Sequence, residues 1–129
     1  MKLIIQRVSE ASVKVKDNAV GSINNGLLVL FGAKESDSEV EINWLVKKLI
    51  NLRIFSDSEG KMNLSVSDIQ GEILLVPNFT LYADCKKGFR PSFINAAKPD
   101  ISEPLFDNFV SRLRTESNLK IETGIFGAD

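Results

Sequence analysis

Between Gly26 and Gly32 the chain runs Leu27-Leu28-Val29-Leu30-Phe31 with no polar residue. A run this short, closed by glycines, reads as a β-strand buried on both faces rather than as a helix. Ile73-Leu74-Leu75-Val76 is a second run of the same kind and ends against Pro77. Strands like these need apolar cover above and below, and that need constrains the rest of the chain.

The other segments have different periods. Leu3 and Ile5, then Ala11, Val13 and Val15, alternate with polar residues as half-buried strands do. Lys16-Asp17-Asn18 reads as a hairpin turn. Asn24-Asn25-Gly26 reads as a second turn, with Gly26 able to take positive φ. Ser38 and Glu41 form a capping box ahead of a helical stripe of Ile42, Leu45, Leu49 and Leu52. Ser56 to Gly60 is a polar turn, and Cys85 to Pro99 reads as loop. Asp100 opens a second helix, with Glu103 completing a capping box, Pro104 in the first turn, and Leu105, Phe106, Phe109, Val110 and Leu113 as its apolar face. Leu119, Ile121 and Thr123 begin a last strand. The order predicts an α+β fold, a compact and mainly antiparallel sheet or barrel with two helices packed outside. No linker or repeat divides residues 1–129, so one domain is expected.

Composition narrows the chemistry. The chain has no histidine, so a Ser-His-Asp or Cys-His pair and a His-ligated metal are excluded. A general base must be a carboxylate, a lysine, Tyr82, Cys85 or a group on the substrate. One cysteine forms no intramolecular disulfide, which points to a reducing cytoplasm. No apolar stretch is long enough to span a membrane, and a net charge of -1 argues against indiscriminate binding of polyanions. Neither membrane nor DNA is expected as a partner.

Three places could carry chemistry. Pro77-Asn78-Phe79-Thr80-Leu81 follows a buried strand, where Asn78 and Thr80 either satisfy backbone groups or line a site. Lys86-Lys87-Gly88-Phe89-Arg90-Pro91-Ser92-Phe93 gathers three cations and two aromatics in one loop, suited to phosphates and stacking, or else a solvated basic loop with both Phe anchored in the core. Arg7 interrupts an apolar strand, either pairing locally or fixing carbonyls around a pocket. Lys47-Lys48 reads as a solvated helix face.

Taken in order, several strings resemble the D-aminoacyl-tRNA deacylases. They are Gln6-Arg7-Val8, Gly26 to Leu30, Arg53 to Asp57 with Gly60 to Asn63, Asn78 to Asp84, Gly88 to Phe93, and Thr123 to Ala128. The resemblance implies hydrolysis of the ester joining a D-amino acid, or mischarged glycine, to the 3′ end of tRNA. It implies a cytoplasmic homodimer with no cofactor and no bound metal.

The family segment Ser-Gln-Phe-Thr-Leu falls on Pro77 to Leu81, which assigns Asn78, Phe79 and Thr80 to catalysis. Proline lacks an N–H, so oxyanion donors are expected from Phe79 and Thr80. Arg7 corresponds to the arginine that orients the chirality-selecting loop, and Phe89 and Phe126 to pocket aromatics. Ala96 or Ala97 falls where the terminal adenosine sits, while Lys86, Lys87 and Arg90 are expected on the tRNA backbone. The family carries a Gly-Pro selector on a closing strand; this sequence has no Gly-Pro, so residues 1–129 are expected to be a deacylase domain lacking that strand. A binding or editing-like module without turnover is the alternative implied by Pro77, Asn78 and the missing dipeptide.

Overall fold

The computed structural model describes residues Met1 to Asp129. Its strands are β1 (Lys2–Val8), β2 (Ala11–Val15), β3 (Asn18–Ile23), β4 (Gly26–Gly32), β5 (Phe55–Ser56), β6 (Met62–Leu64), β7 (Glu72–Pro77) and β8 (Ile121–Thr123). The helices are α1 (Glu39–Asn51) and α2 (Pro99–Glu116), with a short 3-10 helix at Phe79–Tyr82.

The apolar runs occupy the centre of a four-stranded sheet ordered β1-β4-β7-β8. β1 pairs antiparallel with β4, from Lys2 opposite Gly32 to Val8 opposite Gly26. β4 pairs parallel with β7, and β7 parallel with β8. The α+β class stands, but this sheet is mixed and open rather than an antiparallel barrel. The reason is connectivity: α1 lies between β4 and β7 and α2 between β7 and β8, and a crossover helix returns the chain parallel to where it left. The antiparallel hairpins β2–β3 and β5–β6 stand apart as two-stranded units.

One face of the sheet is closed by both helices. Leu27, Val29, Phe31, Ile73, Leu75 and Ile121 meet Ile42, Val46 and Leu49 of α1 and Phe106, Phe109 and Leu113 of α2 in one core. Phe31 meets the edges of Phe106 and Phe109 with ring centres 5.4 Å apart in each case. Alternation sends Leu28, Leu30 and Leu74 to the other face. There the β2–β3 hairpin packs on β7 and β8, burying Leu74 with Ile23. Leu28 and Leu30 stay half-buried, and Ile4 beside Leu30 is exposed.

The α1 capping box forms as expected: Glu41 accepts from the Ser38 N–H at 2.7 Å, and Ser38 Oγ accepts from the Val40 N–H at 3.3 Å. Its buried face is Ile42, Val46, Leu49 and Ile50, with Leu45 half-buried and Leu52 at the C-cap. The face is turned toward Val46 and Ile50 because α1 meets α2 as well as the sheet, through Asn108 to Glu39 and Arg112 to Asn43.

The second capping box does not form. The N-cap lies two residues earlier than that box requires, at Lys98, which makes no side-chain bond, with Pro99 at the first helical position. Proline's fixed φ suits that position, so the backbone sets the start. Pro104 consequently lies inside the helix, where the Asp100 carbonyl loses its partner.

Gly26 does not adopt positive φ. It lies in the ladder opposite Val8 and Glu72, and a Cβ there would stand 1.8 Å from the Glu72 carbonyl oxygen. Close approach of β7 is what calls for glycine. The β2–β3 turn does use left-handed backbone, at Lys16 (φ 50°) and Asp17 (φ 65°).

Candidate functional site

The parallel strands β4, β7 and β8 end on the same side of the sheet, and a cleft opens beyond those ends. Carboxyl ends of parallel strands are where open sheets collect ligand sites, because the chain must leave the sheet there in loops. Pro77 ends β7, and the Asn78 N–H donates to the Phe31 carbonyl at 2.7 Å. The chain then turns into the 3-10 helix.

Asn78 caps that helix. Its side-chain oxygen accepts the Thr80 N–H at 3.0 Å and the Thr80 hydroxyl at 2.5 Å. The structure thus joins two of the residues assigned to catalysis, in a way that limits both. The Thr80 proton is committed to an amide oxygen, which has no basicity to take it. The Thr80 N–H is also engaged, contrary to the expectation that it stays free. Phe79's N–H stands at the helix start, where no intrahelical carbonyl faces it, so the backbone donor left is Phe79's.

The cleft has a volume of about 640 Å³. Phe79 and Phe93 form one wall, ring edge to ring face with centres 5.0 Å apart. Phe126, packed on Phe106, forms another, next to Gly127, Ala128 and Asp129. Ala96 and Ala97 line the base, where the Ala97 N–H ties the loop to the Ala33 carbonyl at 2.9 Å. The start of α2 completes the rim with Lys98, Pro99 and Ser102. The size suits a small ligand, and the lining is largely apolar with a few polar groups.

Asn78, Phe79, Ala96, Ala97 and Phe126 therefore meet in one place, with Thr80 adjoining through Asn78. Arg7 does not join them. It pairs with Leu27 and donates from Nη1 to the Ile54 carbonyl at 2.9 Å, four residues along β4 from Phe31 and so roughly 13 Å away. Phe89 is fully exposed at the tip of a loop closed by the Asp84–Ser92 bridge, with Lys86, Lys87 and Arg90 around it. None of these lines the cleft.

Of the two aromatics singled out in the 86–93 loop, Phe93 lines the cleft while Phe89 does not; Lys98, Pro99 and Ser102 line it without having been singled out from sequence. Ser102 did leave a signal. It lies on the buried stripe of Phe106, Phe109, Val110 and Leu113, a hydroxyl where the period calls for an apolar residue.

The carboxyls held below their ordinary range lie in caps and turns. The Ser38 backbone N–H lowers Glu41, the Lys61 N–H lowers Asp57, and the Ser65 N–H lowers Asp68. Burial, and then the Asp37 charge, pushes the Tyr82 phenol up. Asp37 itself accepts the buried Met1 ammonium at 2.6 Å, fixing the chain start against the turn before α1.

Comparison with known proteins places this arrangement. Residues 4–129 match the family described as D-Tyr-tRNA(Tyr) deacylase. A D-aminoacyl-tRNA deacylase of Flavobacterium psychrophilum is 57% identical over 129 residues, which are 100% of this chain and 86% of that protein. One from Thermosipho africanus is 53% identical over 128 residues, covering 99% of this chain and 85% of its own length. Among solved structures, the c-Myc DNA Unwinding Element Binding Protein superposes with a TM-score of 0.94 at 38% identity, covering 100% of this chain and 87% of that one. A probable eukaryotic D-amino acid tRNA deacylase shares the fold, with a TM-score of 0.83 at 18% identity over 98% of this chain and 89% of its own.

Proposed function

Because this chain belongs to the D-Tyr-tRNA(Tyr) deacylase family, we propose that its cleft receives the charged 3′ end of a tRNA and hydrolyses the D-aminoacyl ester there. The observation that carries the reading is the convergence at the strand ends. Asn78 and Phe79, the aromatic walls and the Ala96–Ala97 base form one cleft of a size for an aminoacyl adenosine. The named deacylases among its relatives favour turnover over a binding module.

In this reading Ala96 and Ala97 accept the terminal adenosine, and the aromatic rings take the amino-acid side chain. The Phe79 N–H faces the ester carbonyl and stabilises the negative charge that grows on its oxygen. Water adds to the carbonyl carbon, and the bond from that carbon to the ribose oxygen breaks. A free D-amino acid and a tRNA with its terminal hydroxyl restored are released. The ester is already activated, so holding it in place and polarising it supplies much of what is needed. The neighbouring 2′-hydroxyl assists the water, which suits a chain without histidine and a Thr80 whose proton is held by Asn78.

The proposal extends to mischarged glycine, whose ester meets the same Phe79 N–H and adenosine contacts with no side chain to place between the rings. It extends to a homodimer, supported by the apolar Ile4, Leu28 and Leu30 left partly uncovered on the outer sheet face. It extends to a reducing cytoplasm, suited to the free and exposed Cys85. Lys86, Lys87 and Arg90 are assigned to the tRNA backbone; Arg7 and Phe89 stand outside the cleft and do not touch the reacting ester in this reading.

The test is hydrolysis of matched D-Tyr-tRNA and L-Tyr-tRNA by the purified chain. Release of D-tyrosine well above the spontaneous rate is expected. No acceleration on the D-ester overturns the proposal.

A further inference from the structure

The outer face of α1 carries a surface that the cleft does not use. Trp44, Lys47, Lys48 and Asn51 follow one another at intervals of three, one and three residues, a single stripe along the helix. It points away from the buried Ile42, Val46 and Leu49. Trp44 is 62% exposed although Leu, Ile and Val fill the opposite face. The Lys48 ammonium lies over its ring, 5.2 Å from the centre. With Leu52 and Arg53 these residues line a hollow of about 620 Å³ that contains no carboxylate. None of the chain's ion pairs involves Lys47, Lys48 or Arg53. Arg53 is exposed and donates from Nε to the Asn63 carbonyl, and its charge also acts on Asp68 nearby. On a chain of net charge -1, three cations and a ring gathered in one concavity reverse the local sign.

We propose that this stripe binds the phosphate backbone of the tRNA acceptor stem, beyond the terminal nucleotide held in the cleft. The inference rests on the reading of charged tRNA as substrate. Placement supports it. α1 and α2 run side by side in the same direction, tied by Asn108 to Glu39 and Arg112 to Asn43. The cleft reaches Ser102 on α2, and Arg112, level with Asn43 and Trp44, lies ten residues on, about 15 Å along the axis. Lys47 to Arg53 continue in the same direction. A duplex leaving the cleft along this pair of helices presents a row of phosphate charges to that stripe. The lysines hold phosphates, and Trp44 offers a flat face to a sugar or an unpaired base. The competing explanation is that Lys47 and Lys48 only offset the dipole at the end of α1; it predicts no RNA dependence.

The direct test is binding of an uncharged tRNA, read by fluorescence anisotropy across a salt series, for the parent chain, Lys47→Ala/Lys48→Ala and Trp44→Ala. The double variant should weaken binding by about tenfold or more and lower the salt slope by about 2, one for each lysine–phosphate pair removed. Trp44→Ala should weaken it by roughly fivefold or more. In parallel, each variant is assayed on D-Tyr-tRNA and on the D-tyrosyl ester of adenosine alone. The loss should appear in KM for the tRNA and be absent for the adenosine ester. Unchanged tRNA affinity and slope would overturn the proposal, as would an equal loss on both esters. If the parent hydrolyses neither ester while the variants still lose tRNA affinity, the surface stands and the deacylase reading falls.

Discussion

The two faces of the central sheet are built on different terms. Toward the helices, Leu27, Val29, Phe31, Ile73 and Leu75 are shut off from water by large side chains of α1 and α2. Toward the other side, the β2–β3 hairpin covers β7 and β8, so Leu74 is fully buried while Leu28 and Leu30 are half-covered and Ile4 is 48% exposed. The same apolar run thus meets complete cover on one face and partial cover on the other. The cleft lies at the end of the well-covered region, where Phe31, Phe106 and the 93–97 loop hold its base. A site that positions an ester by backbone groups needs that rigidity.

Substitutions on the two faces should differ in cost accordingly. Phe109→Ala, in the helix-covered core, should lower unfolding free energy by about 4 kcal/mol in urea titrations. Leu74→Ala should cost about 3 kcal/mol, since the hairpin seals that position; a cost under about 1 kcal/mol would mean the hairpin is not a packing layer. Ile4→Ser should change the stability of the dilute chain by less than about 1 kcal/mol. It should also weaken self-association in sedimentation, and a large loss at high dilution would mean the chain covers its own outer face.

The smallest effect is on the acid side. Glu41, Asp57 and Asp68 have folded pKa values below their unfolded ones. Their stabilisation is present above the unfolded carboxylate range near pH 4 and is lost as pH falls through the lowered values. Glu41→Gln with Asp57→Asn and Asp68→Asn should therefore shallow the decline of stability below about pH 4, read by thermal midpoints across pH. An unchanged acid slope would show that other carboxylates carry it.

The sequence exposed what local rules govern. The Ser38–Glu41 box, the apolar runs of β4 and β7, the Lys16-Asp17 turn and the Phe106–Leu113 stripe follow from caps, periods and turn chemistry within a few residues. Parallel pairing of β4, β7 and β8 is set by how the crossover helices pack, so no short window contains it. Gly26 was legible as a special position but not for its reason, because Glu72 approaches it from far along the chain. In the site, Asn78 and Thr80 were legible as a polar break after a buried strand, and Phe79 through the family resemblance. Lys98 and Pro99 were not, since the N-terminal residues of α2 reach the cleft only through tertiary packing. Arg7 and Phe89 lie elsewhere because β1 runs antiparallel to β4 and the Asp84–Ser92 loop points outward.

The proposed chemistry works through backbone groups and the substrate's own hydroxyl, with no side-chain nucleophile. Thr80 adjoins the cleft through Asn78, which accepts both its N–H and its hydroxyl proton. The decisive measurement is the single-turnover rate of D-Tyr-tRNA hydrolysis by Thr80→Val, a change that keeps shape and removes the hydroxyl. A rate within about tenfold of the parent is expected, the cost of a lost hydrogen bond. A fall of about a thousandfold or more would make Thr80 the nucleophile and contradict a backbone-driven mechanism.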